Sequence, residues 1–266
     1  MKTLKKAFLG ILITVLLGAN IFAQEEEKSY EPVLISVTTM HRSSNPDIDF
    51  SEWKATEKEY FDKVTMKNDL IIGSGFYLHY FTPDASEIIK VSIYKSWADI
   101  DASNNITTKL IGEGWSDDDE RDAFFEKQAS FYGSLHTDEI YLTTKYRKTF
   151  VTDSDKPLIY YVKKNIRNDG RGMGFKEYYD NITMKNSYIK GYFTHNHLYG
   201  SDSREFNEVF VFNSLGDVEK SFEEEDKLTK EYWLDDDKRK AFFKEFRKIF
   251  KGHGDYIYQN VPELVK

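Results

Sequence analysis

The ten residues Glu59-Tyr-Phe-Asp-Lys-Val-Thr-Met-Lys-Asn68 return 118 positions later as Glu177-Tyr-Tyr-Asp-Asn-Ile-Thr-Met-Lys-Asn186. The same spacing relates His79 to His197, Asp99 to Asp217 and Trp115 to Trp233. It also carries Asp117-Asp118-Asp119 onto Asp235-Asp236-Asp237, and Ala123-Phe124-Phe125 onto Ala241-Phe242-Phe243. No gap is needed from about residue 57 to about residue 132. A repeat of this length exceeds any solenoid unit, so a whole folding module has been duplicated. The modules are expected over 32–150 and 151–266.

Ahead of them the chain reads as a leader. Lys2, Lys5 and Lys6 form a positive start, Ala7 to Leu17 a short apolar run, and Ile21-Phe22-Ala23 a cleavage site. The run is too short to span a bilayer comfortably, so residues 1–23 are expected to be a signal peptide and 24–31 a polar arm. The mature protein would then be exported, periplasmic or extracellular, with no membrane span. Cysteine is absent, so no disulfide holds it. Removing the leader takes three lysines and moves the formal charge from −8 to −11. An acidic surface with scattered lysines argues against a nucleic-acid partner, which needs a concentrated basic face.

Each module opens on a β-branched run, Pro32–Met40 and Pro157–Asn165. In the first, Val33, Ile35 and Val37 alternate with a softer face of Leu34, Ser36, Thr38 and Met40. In the second, Leu158, Tyr160 and Val162 alternate with Ile159, Tyr161, Lys163 and Asn165. A sheet covered by helices on one face and semi-polar on the other gives this pattern. An amphipathic helix follows, with Trp53, Tyr60, Phe61 and Val64 on one stripe and Phe175, Tyr178, Tyr179 and Ile182 on its copy. Lys67-Asn68 and Lys185-Asn186 close these helices, the asparagines in the left-handed conformation of a C-cap. Strands are then expected at 71–81 and 87–94, and at 189–199 and 205–212. Helices follow from Asp99 and Asp217, then from the Asp117 and Asp235 caps, with last strands at 139–143 and 256–260. The glycine-rich 168–174 lacks the Gly-Lys-Ser/Thr ending of a phosphate loop, and the aspartate triplets lack calcium-loop spacing; both read as structural.

The order β-α-β-β-α-α-β is that of a ferredoxin-like sandwich, giving an α+β class with two tandem modules. In element order, duplication and the extra helix before the last strand, the chain resembles the dimeric α/β-barrel superfamily in its fused form. That resemblance implies two sheets closing into one barrel within a single polypeptide. Its interior would hold a ligand, haem or an oxidisable aromatic substrate, and the softer strand faces would line it.

The candidate ligand contacts are Thr38 and Met40, Tyr77 and His79, Tyr161 and Lys163, and His195 and His197. His195 and His197 share one strand face, as would two metal ligands, but a lone His-x-His pair is an ordinary half-buried arrangement and no metal is assigned. No Ser-His-Asp set, nucleophile elbow or zinc-protease motif occurs. The expectation is an exported protein binding a small apolar or aromatic molecule. The alternatives are a haem-dependent or cofactor-free oxidoreductase and a structural protein with a filled barrel.

Overall fold

A computed structural model describes residues 30–151 and 156–266; the leader and nearly all of the polar arm lie outside the described residues. From Pro32 to Lys266 the chain forms one compact unit. The first copy contributes β1 (Leu34–Arg42), α1 (Trp53–Tyr60), β2 (Gly73–Phe81), β3 (Glu87–Tyr94), α2 (Trp97–Gly114), α3 (Asp118–Ser130) and β4 (Tyr132–Lys148). The second contributes β5 (Ile159–Arg167), α4 (Phe175–Tyr178), β6 (Gly191–Tyr199), β7 (Glu205–Phe212), α5 (Leu215–Tyr232), α6 (Asp236–Phe246) and β8 (Phe250–Val265). The strands close into a barrel in the order β1-β3-β2-β8-β5-β7-β6-β4, every neighbouring pair antiparallel. Four strands of the first copy therefore adjoin four of the second, joined at β2–β8 and at β4–β6. Closure leaves no unpaired edge, the usual hazard of an open sheet.

The repeated decapeptide marks a change of helix type. α1 passes into a π-helical turn at Phe61–Thr65, and α4 into one at Tyr179–Thr183. The asparagines that follow do not take the expected left-handed conformation, since no described non-glycine residue has positive φ. Each instead turns its side chain inward as a clamp. Asn68, fully buried, donates from Nδ2 to the Ser103 carbonyl and hydroxyl and to Thr107 on α2, while its Oδ1 accepts from Leu70 N. Asn186 donates to the Ser221 carbonyl on α5 and accepts from Tyr188 N. A lysine completes each turn: Lys266 Nζ donates to the Thr65 and Asn68 carbonyls, and Lys148 Nζ to that of Asn186. These bonds satisfy helix-end carbonyls and complement the dipole. Asp117 and Asp235 cap α3 and α6 as expected.

The last strand of each copy is far longer than the sequence signals. β4 runs from 132 to 148 and β8 from 250 to 265, because each pairs with one strand of its own copy and one of the other. Their charged ends face water and hide the strand pattern.

The two faces of β1 and β5 are reversed from expectation. Met40 packs outward against the helix core of Trp53, Phe61, Phe76, Ile88 and Phe131, and Thr38 lies on its face. Tyr161 likewise packs outward with Phe210 and Val218. The alternate residues, Ile35 and Val37 on β1 and Tyr160 and Val162 on β5, point into the barrel. On that face the Lys163 ammonium acts on Glu225 of α5, while Thr38 and Tyr161 bond to Asp138 and Asp255 on neighbouring strands.

Candidate functional site

The barrel interior is not filled. Val37, Val91, Val162, Val209, Phe193 and His195 all face inward from mid-strand, yet all keep solvent-accessible surface. An eight-stranded barrel is just wide enough to be packed by side chains or to hold one small ligand, and the residual accessibility at its middle marks an interior that side chains do not fill completely.

One row across the second copy's wall is polar. Lys164 pairs with Asn207, Asn207 with His195, and His195 with Thr143, on β5, β7, β6 and β4 in turn. His195 keeps some accessible surface in the lumen but is surrounded by the barrel wall, and that burial pushes its imidazole down to about 4, so it is neutral at physiological pH. It makes no hydrogen bond among the described residues. Beside it, Asn207 is 6% exposed and its Oδ1 has no partner. Buried polar atoms are rarely left so in folded proteins. The opposite wall carries Thr39, Ile89 and Tyr77 at the corresponding level. Tyr77 meets Tyr160 edge-to-face at 4.7 Å between centroids, and burial raises its hydroxyl to about 12.

Above this row lies a motif that occurs twice. Tyr141 pairs with His197 across the β4–β6 junction, and His79 with Tyr258 across β2–β8. The Tyr141 hydroxyl stands 2.6 Å from Glu139 Oε2 and 2.7 Å from Glu205 Oε1; its single proton serves one carboxylate at a time. Tyr258 donates to Glu87 at 3.0 Å. Burial pushes Glu139 up, but bonds from Ser201 and Tyr141 outweigh it and hold the carboxyl below its usual range. His197 is buried with both ring nitrogens unpartnered, its Nε2 3.9 Å from Glu139. Gly200 closes over it: at φ +134°, a Cβ there would lie 2.7 Å from Glu139 Cγ and 2.8 Å from His197 Nε2. His79 is instead tied to the Thr82 hydroxyl at 2.8 Å.

The helix-covered face has its own buried polar groups. Glu57 is pushed up by burial and accepts from Tyr132 at 2.6 Å and Gln128 at 3.1 Å, with Lys90 as its counter-charge. Burial likewise raises Glu225, which accepts from Tyr178 and feels the Lys163 ammonium. Tyr161 donates to Asp255 at 2.6 Å, and Thr38 to Asp138 at 2.6 Å. Each of these groups has a partner that accounts for its burial.

Of the eight residues expected to contact a ligand, the structure thus gathers Tyr77, His79, His195 and His197 in the lumen. It places Thr38, Met40, Tyr161 and Lys163 outside it, correcting their assignment to a common cavity. Lys164, Asn207, Glu205, Tyr141 and Tyr258 were missed. The repeat carried a signal for some of them: Glu87 and Glu205 share the 118 spacing of His79 and His197. Outside the barrel, Trp97 (47% exposed) and Tyr199 (66%) meet edge-to-face beside Ile140, lining an open groove of about 560 Å³.

No protein-family model and no curated protein matches the chain. Solved structures do. A "Putative monooxygenase" from Fusobacterium nucleatum subsp. nucleatum aligns at TM-score 0.56 and 10% identity, over 87% of this chain and 94% of that one. A "putative monooxygenase" from Lactobacillus acidophilus NCFM aligns at 0.50 and 10%, over 89% and 96%. A mutant chlorite dismutase from Candidatus Nitrospira defluvii aligns at 0.50 and 11%, over 88% and 93%. At such identities the likeness concerns the fold, and it supports the dimeric α/β-barrel resemblance at that level.

Proposed function

We propose that this is an exported binding protein whose two ferredoxin-like modules, 32–150 and 151–266, close around one small apolar or aromatic molecule. The observation that carries this is the neutral, unpartnered His195, which keeps accessible surface in the lumen, beside the Asn207 carbonyl, which is buried without a partner. The walls below are valines and a phenylalanine, suited to an apolar body, with polar groups placed to fix one end. A filled structural barrel would have buried these side chains completely. Export rests on the leader's charge and apolar pattern. Calorimetry with indole tests the lumen: the wild-type protein binds it, and Val209→Trp, which fills the lumen, abolishes binding at unchanged melting temperature. Absence of binding, or binding that survives the substitution, overturns the proposal.

Cofactor-free oxidation of the bound molecule is the second reading, because His195 stands where a base would. It ranks second on a physical ground: a base near 4 is far from the near-neutral value that favours proton abstraction. Haem does not fit the histidines present. His41, His136 and His253 lie beside carboxylates, His79 is bonded to Thr82, and His197 has no accessible ring nitrogen. His195 opens onto a lumen into which Phe193, Tyr77, Tyr160, Tyr256 and Tyr258 already project, leaving no slot for a macrocycle with an axial ligand.

A further inference from the structure

We infer that the molecule held in the lumen carries a protonated amine, seated among Asn207, Glu205 and His195; this rests on the lumen being the ligand site. Asn207 Oδ1 is a buried acceptor with no donor. Such an atom costs roughly 1–3 kcal/mol, and an N–H from a bound molecule relieves it. Glu205 lies two residues earlier on β7 and faces the same way, as its bond to Tyr141 at 2.7 Å confirms. A carboxylate next to the buried, unpartnered carbonyl makes the position a place for a cationic donor, whose hydrogen bonds are about twice as strong as neutral ones.

The charge balance agrees. Glu87, Glu139 and Glu205 face the lumen, and Lys164 is the one lysine or arginine on the facing row of β5, β7, β6 and β4. That ammonium is already committed: it acts on Glu139 and stands 5.2 Å from the Tyr256 ring centroid. An anion at His195 would therefore meet Glu205 with no free cation to offset it. His195 itself offers an unprotonated nitrogen and no positive charge to repel an ammonium. The opposite wall offers Thr39, Ile89 and Tyr77 at this level and no carboxylate among them, so the amine end belongs to the second copy's side and the ligand has one orientation.

Three indole derivatives that differ only in the end group test this. Calorimetry should rank tryptamine at least about tenfold tighter than tryptophol or indole-3-acetate. Asn207→Leu and Glu205→Gln should each erase most of that advantage. Equal affinities, or a preference for indole-3-acetate, overturn the inference and leave the lumen reading standing. Failure of indole itself to bind overturns the lumen reading and this inference with it. Should a variant fail to fold, the wild-type ranking decides alone.

Discussion

Among single residues, His195 is the one whose environment most clearly departs from an ordinary strand position. Its imidazole is held near 4 by burial, against 6.5 in an unfolded chain. The folded state then binds fewer protons than the unfolded state between those values. His195's contribution to stability is therefore fully present above pH 6.5 and is lost as pH falls towards about 4. Urea unfolding of wild-type and His195→Gln protein at pH 7.5 and 4.5 checks this. The wild type should lose about 2–3 kcal/mol more than the variant on acidification. Equal losses would mean that the imidazole is solvated like a surface histidine and that the lumen is wetter than its lining implies. The sequence offered His195 only as half of a His-x-His pair; what sets it apart from His197 is the geometry of Gly200 and Tyr141, which lie on other elements.

At the level of elements, the duplicated helix and its turn were legible, and their physical reason was not. The apolar stripe of Trp53, Phe61 and Val64 and the caps at Asp117 and Asp235 could be read directly, because they depend on local spacing. The repeated Thr-Met-Lys-Asn looked like a local C-cap, yet Asn68 and Asn186 act on α2 and α5, 35 residues away. The faces of β1 and β5 are the reverse of the expected ones for the same reason: alternation shows that two faces differ, but only the helices decide which is covered. β4 and β8 were cut short because their pairing partners come from both copies. The clamp predicts a ranking. Asn68→Ala should cost about 2–3 kcal/mol, since its amide serves three acceptors, and Asn186→Ala about 1 kcal/mol, since one acceptor is served. Thermal unfolding measures both, and an equal or inverted cost would show that the clamp is not what holds the π-helical turns to α2 and α5.

Across the whole molecule, the barrel has unlike walls. The His-Tyr-Glu grouping recurs at both junctions, whereas the row below it is polar on one wall and more apolar on the other. On the proposed reading, a lumen built this way receives one molecule in one direction. The competing location is the outer groove at Trp97 and Tyr199, where two exposed aromatics offer an easier landing for any flat apolar probe. Nuclear magnetic resonance of the histidine imidazoles, the asparagine amides and the tryptophan indoles separates the two places in a single titration with indole. Saturable shifts at His195 and Asn207, with Trp97 unmoved, are the result expected of a ligand-binding lumen. Shifts confined to Trp97, with His195 and Asn207 unchanged, would place binding on the outer surface and contradict it.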